Sequence, residues 1–162
     1  MYNQNEKTII IMVGLPARGK SYISNNLDKY FRWNCYNSKV FNVGNYRRQK
    51  LGGFQDHTFF DSNNYQYCEI RDKLALDLFD ELIYWINNDG NIAIYDATNT
   101  TNARREKLLE ICKKNSIDPL FIEMICNDNN IIDTNLKMKL ISKDYFLFKN
   151  KDQALLDFKN RL

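Results

Sequence analysis

The chain has 162 residues, a formal net charge of +3, 44% hydrophobic residues and 27% charged residues. That length fits one domain, the apolar share excludes a disordered chain, and a charge this small and this dispersed does not by itself call for a nucleic-acid or membrane partner. Cys35, Cys68, Cys112 and Cys126 stand far apart with no CxxC pair and no secretory leader, which argues against a zinc site or a disulfide framework and for a reducing, cytoplasmic setting.

In chain order, the β-branched run Thr8-Ile9-Ile10-Ile11-Met12-Val13 predicts a buried parallel strand that ends at Gly14. Tyr22, Ile23, Leu27, Tyr30 and Phe31 then recur at helical spacing, which predicts a helix over about 20–31. A second strand is expected over 39–43, closed by Gly44 before the basic pair Arg47-Arg48. Residues 52–64 carry two glycines and no clear period, so a loop or irregular lid is expected there. The spacing of Ile70, Leu74, Leu78, Leu82 and Trp85 predicts a long amphipathic helix over 65–87, with Gly90 as its stop. A third buried strand follows over 91–95 and delivers Asp96; a helix over 102–115, a strand over 119–126, and helical segments over 128–139 and 152–161 complete the reading. The longest apolar runs are strand length, too short for a membrane span. Strands alternating with helices predict an α/β fold in which ligands bind beyond the carboxyl ends of the strands.

The segment Gly14-Leu15-Pro16-Ala17-Arg18-Gly19-Lys20-Ser21 satisfies GxxxxGK[ST] between a predicted strand and a predicted helix. In such a loop backbone amides wrap phosphate oxygens, the lysine reaches the outer phosphates and the hydroxyl holds magnesium, so ATP and Mg²⁺ are the expected cofactors. Asp96, at a strand end, can hold that magnesium or take a proton from an attacking alcohol; an Asp there can also cap the following helix. Thr98, Asn99, Thr100 and Thr101 beside it can position phosphate or sugar while capping a helix. Arg47, Arg48, Arg71, Arg104, Arg105 and Arg161 are candidates for a second anion, Arg47 and Arg104 with added weight from lying just past strands. Lys139 can supply positive charge to a transition state, or lie with Lys137 and Lys143 on a solvated helix face. His57, the one histidine, reads as a loop residue, and Cys126 as either a small buried residue or a site residue.

Four segments together, Val13 to Lys20, Phe41-Asn42-Val43-Gly44-Asn45-Tyr46-Arg47-Arg48, Tyr95-Asp96-Ala97-Thr98-Asn99-Thr100-Thr101 and Glu123-Met124-Ile125-Cys126, resemble the kinase domain of 6-phosphofructo-2-kinase/fructose-2,6-bisphosphatase. The resemblance implies a P-loop NTPase-type three-layer α/β/α fold with a mainly parallel sheet. It also implies transfer of the ATP γ-phosphate to the 2-hydroxyl of fructose 6-phosphate. By position, Gly14 to Ser21, Asn135 and Lys139 would contact the nucleotide, with Cys126 beside it and Ser21 and Asp96 at the metal. Asp96, Lys20, Lys139 and Cys126 would carry catalysis, and Arg47, Arg71, Thr98, Arg104 and Arg161 would hold the sugar phosphate. The family's Leu-Gly-Ser-Pro-Asp-Tyr segment stands here as Leu140-Ile141-Ser142-Lys143-Asp144-Tyr145, without its glycine or proline. The family's kinase domain continues past the position of Arg161, so a single C-terminally truncated kinase domain without a phosphatase domain is expected. The expected partner is the small-molecule substrate, with no nucleic acid and no membrane, and a homodimer is left open.

Overall fold

The computed structural model describes residues 7–53, 55, 57–61 and 63–139. Four parallel strands, β1 (Thr8–Val13), β2 (Ser38–Asn42), β3 (Ile92–Asp96) and β4 (Pro119–Glu123), form one sheet in the order β2-β3-β1-β4. Between and after them run α1 (Lys20–Trp33), α2 (Val43–Leu51), α3 (Tyr65–Asn88), α4 (Asn102–Lys114) and α5 (Asn129–Lys139), with one turn of 3-10 helix at His57–Phe60.

The layers follow from strand alternation. Ile9 and Ile11 of β1 face one side of the sheet and join Phe41, Tyr95, Phe79, Leu82 and Leu108, a core made with α3 and α4. Ile10 and Met12 face the other side and pack with Ile94 and with Ile23, Leu27 and Phe31 of α1. A strand buried on both faces has no polar face to alternate, which is why β1 reads as an unbroken apolar run. Burial of each large aliphatic or aromatic side chain contributes about 1.5–3 kcal/mol, and the edge-to-face pair Phe79–Tyr95, with centroids 4.9 Å apart, ties α3 to β3. Cys112 lies inside this core, where burial pushes its thiol up to about 11.

The chain leaves β1 for β2 on one flank, returns to β3, then crosses to β4 on the other flank. This reversal opens a crevice at the carboxyl ends of β1 and β3, where the glycine loop and Asp96 emerge.

Two expectations need correction. Gly44 does not close the second strand: β2 ends at Asn42 and Gly44 lies in the first turn of α2. The Asn42 side chain caps that helix by accepting from the Asn45 amide at 2.8 Å, and the cap outweighs the poor helix propensity of Gly44 and Asn45. The last strand stops at Glu123 rather than at Cys126. The segment read as an irregular lid contains the turn His57–Phe60, and the helix expected over 152–161 lies outside the described residues. No helix among the described residues is long and apolar enough to cross a membrane.

Candidate active site

The loop Gly14 to Ser21 is tightly bent. Gly14 (φ 132°), Ala17 (φ 60°) and Gly19 (φ 85°) all have positive φ. A Cβ on Gly14 would stand 2.6 Å from the main-chain oxygen of Met124, so the loop can pass the end of β4 only with glycine there. Gly19 is the N-cap of α1 and has no side chain to satisfy the first-turn amides, and that turn carries no acidic residue. These amides and the positive helix terminus are therefore available to an anion in the loop. Two bonds brace the loop: the Gly14 amide donates to the Thr98 carbonyl at 2.9 Å, and Asn135 Nδ2 of α5 donates to the Ala17 carbonyl at 2.9 Å.

Lys20 is buried, and its Nζ donates to the carbonyls of Gly14 and Leu15, each at 2.6 Å. Burial lowers its pKa to about 8, with repulsion from Lys139 and Arg18 adding to the fall and attraction to Asp96 opposing it. Lys139, exposed at the end of α5, is thus close enough for its charge to be felt at Lys20. The Arg18 guanidinium donates to the Pro16 carbonyl at 3.2 Å, across the loop's outer face.

Asp96 is buried at the end of β3, opposite Asn42 in the register of β2 and β3. Asn42 Nδ2 donates to Asp96 Oδ2 and lies 3.5 Å from Ser21 Oγ, so one amide joins the carboxylate to the loop hydroxyl. A hard cation that keeps most of its ligands as water and phosphate oxygens needs few protein donors, and one carboxylate beside one hydroxyl fits magnesium in that role.

Three of the candidate arginines stand on α2, α3 and α4. Arg47 is buried on α2 with its guanidinium over the rings of Phe60 (5.0 Å) and Phe59 (6.0 Å). Arg71 donates to the Phe59 carbonyl and lies 3.0 Å from Cys68 Sγ. The single turn His57–Phe60 therefore brings Arg47 and Arg71 together. Arg104, at the start of α4, pairs with Asp72, the chain neighbour of Arg71, and stands near the Tyr95 hydroxyl, which donates to the Ala75 carbonyl at 2.7 Å. Thr98 is exposed in the loop after β3 and faces neither a core nor a helix interior. Arg161 lies outside the described residues.

The remaining candidates sort by contact. Arg105 donates to the carbonyls of Asn99 (3.0 Å) and Thr100 (2.7 Å) and so buttresses the loop after β3, while Arg48 donates to Asn45 within its own helix. Cys126 is half-buried, its thiol 4.0 Å from the Asp128 carbonyl, and it lines a pocket of about 420 Å³ with Gly14, Leu15, Arg18 and Met124. Sequence reasoning passed over Asn42, and it read Asn99 as a possible ligand contact rather than as a brace. Asn99, 3% exposed with φ 47°, donates from Nδ2 to the Met12 carbonyl at 2.8 Å and pins the post-β3 loop to β1. A signal existed for Asn42, since Asn before a short helix is an N-cap pattern.

The family model described as 6-phosphofructo-2-kinase matches residues 1–162. A probable 6-phosphofructo-2-kinase of Schizosaccharomyces pombe is 46% identical over 160 residues, 97% of this chain and 24% of that protein. The human 6-phosphofructo-2-kinase/fructose-2,6-bisphosphatase 3 is 40% identical over 159 residues, 98% of this chain and 31% of that protein. The chain thus spans about a quarter to a third of the length of these relatives. In fold, it is similar to the APS kinase of Mycobacterium tuberculosis, with a TM-score of 0.58 and 12% identity over 82% of this chain and 94% of that one. Glycine loop, buried strand-end carboxylate and arginine cluster, in a chain that matches from its first residue to its last, place it in one lineage: the chain belongs to the 6-phosphofructo-2-kinase family.

Proposed function

We propose that this chain transfers the γ-phosphate of ATP to the 2-hydroxyl of fructose 6-phosphate, giving fructose 2,6-bisphosphate and ADP. The observation that carries this reading is one buried carboxylate, Asp96, linked through Asn42 to Ser21 of the bent loop and standing on the strand next to the one that delivers that loop. Lys20 lies in that loop, and Arg47, Arg71 and Arg104 stand on α2, α3 and the start of α4, the first two both against the turn His57–Phe60. In this reading the loop is the cationic seat of the donor triphosphate, the arginines are that of the acceptor phosphate, and Asp96 marks the reacting centre.

In this mechanism the amides of Gly14 to Ser21 and the Lys20 ammonium hold the triphosphate, with Leu15, Pro16, Ala17, Arg18 and Gly19 shaping the loop. Asn135 fixes that loop from α5 through its bond to Ala17, and Cys126 stands beside the nucleotide. Ser21 and Asp96 would hold magnesium, which when bound neutralises phosphate charge. Arg47, Arg71 and Arg104, with Thr98 and Arg161, grip the 6-phosphate of the sugar and present the 2-hydroxyl to Asp96. The bond from the sugar oxygen to the γ-phosphorus forms as the bond from phosphorus to the bridging oxygen breaks. The hydroxyl proton leaves toward the Asp96 carboxylate, and Lys20 and Lys139 offset the charge that spreads over the transferring group.

A coupled assay of ADP release with fructose 6-phosphate, other sugar phosphates and no acceptor tests the proposal. Turnover is expected with fructose 6-phosphate, and its loss in Lys20→Ala and Asp96→Ala. Wild-type kcat in Asp96→Ala would refute the catalytic assignment, and nucleotide binding without transfer to any sugar phosphate would mark an inactive ATP-binding module instead.

A further inference from the structure

Asn42 closes β2 and opens α2, and its side chain is engaged at both ends. Oδ1 accepts from the Asn45 amide at 2.8 Å. A main-chain N–H can only donate, so this bond fixes which way the amide points and turns Nδ2 toward the strand ends. Of the two hydrogens on Nδ2, one goes to Asp96 Oδ2 and the other is directed at Ser21 Oγ, 3.5 Å away. Both are acceptors, so every atom of the amide meets a group of opposite hydrogen-bonding character.

The residue type is informative. Asp would cap α2 as well, but it would turn an acceptor toward the Asp96 carboxylate. Ser would also cap, but it is too short to reach across to the neighbouring strand. A neutral amide supplies a donor to a buried carboxylate without adding a charge that competes for a cation, and it leaves Asp96 Oδ1 outside this bond. The same residue begins the helix that carries Arg47, so one side chain joins the segment bearing the acceptor-side cation to β3 and the phosphate loop.

Resting on the kinase reading above, we propose that Asn42 is a positioning residue for phosphoryl transfer. Its amide sets the Asp96 carboxylate and the Ser21 hydroxyl in the mutual geometry that magnesium requires, and its cap registers α2 against them. Partners one shell removed from a metal typically change metal affinity or activity by about 10- to 100-fold when removed, and Asn42 belongs in that range.

The test compares Asn42→Ser, which keeps a capping oxygen, with Asn42→Ala, which removes both functions. Calorimetry of a non-hydrolysable ATP analogue across a magnesium titration, thermal unfolding, and steady-state kinetics with fructose 6-phosphate are run on the full chain. Asn42→Ser should keep a melting temperature close to wild type, need about 10-fold or more magnesium for the same tightening of nucleotide binding, and lose kcat with little change in KM for the sugar. Asn42→Ala should show the same magnesium shift and a lower melting temperature as well. The proposal is overturned if Asn42→Ser keeps wild-type magnesium dependence and kcat, since Asn42 would then be a helix cap alone. It is also overturned if the wild-type chain binds the analogue equally with and without magnesium. Should the wild type bind magnesium and nucleotide but phosphorylate no sugar, the kinase assignment falls, and the magnesium titration still decides the role of Asn42.

Discussion

Substituting Gly14 by alanine separates two effects that glycine relieves, because Gly19 in the same loop carries only one of them. Both residues have positive φ, at 132° and 85°. An L-residue in left-handed backbone costs about 1–2 kcal/mol. At Gly19 the nearest atom to an added Cβ is the methyl carbon of Met124, 3.9 Å away, so Gly19→Ala should lose that amount and little more. At Gly14 the added carbon would meet the Met124 carbonyl oxygen at 2.6 Å, a main-chain atom that cannot swing aside. The Met124 amide also donates to Val13 at 2.8 Å, so a shift there pulls β1 and β4 apart. Overpacking of this kind adds about 1–3 kcal/mol, which puts Gly14→Ala at roughly 2–5 kcal/mol. For a chain of this size that is a fall in melting temperature of roughly 5–15 °C, against a few degrees for Gly19→Ala. Thermal and urea unfolding without nucleotide read the difference. If Gly14→Ala proves no less stable than Gly19→Ala, the close approach of loop and strand end is wrong and the loop must sit elsewhere.

Two further outcomes follow from charge. The folded-state pKa of Lys20, lowered to about 8 chiefly by burial, lies below its ordinary 10.5, so the unfolded chain binds more protons between those values and this lysine's penalty fades as pH rises through them. In metal-free buffer the stability of wild type relative to Lys20→Met should therefore rise by roughly 3 kcal/mol between about pH 7.5 and 10.5; a pH-independent difference in urea unfolding would contradict the burial argument. Arg104 is held by Asp72, whose side chain is 64% exposed, so under the proposed function Asp72→Asn should lower KM for fructose 6-phosphate up to about five-fold at low salt with kcat unchanged, and an unchanged or higher KM would show that Asp72 orients the arginine rather than competing for it.

How far each part was legible depends on the range of the interactions behind it. The chain from Thr8 to Ser21 could be read locally, because an apolar β-branched run, two glycines and a lysine-serine pair each have a meaning set within a few residues. The same holds for α3, whose apolar spacing repeats through six turns, and for Asp96 at the end of a buried strand. Helix α2 was hidden because Gly44 and Asn45 weaken local propensity, and what stabilises its start is a side chain in the strand before it. The arginines could be named but not sorted. Arg47 and Arg105 are both arginines near strand ends, yet one lies over Phe60 and the other is consumed by the carbonyls of Asn99 and Thr100. Only the turn at His57–Phe60 and the loop after β3 decide between them, and both are tertiary placements with no periodic signature. Asn42 combines the two cases. Its cap is a local pattern, whereas its bond to Asp96 exists only because β2 and β3 pair in a register that sets residue 42 opposite residue 96. A motif search finds the glycine loop and the strand-end carboxylate, and the side chain that joins them emerges only once the strands are aligned.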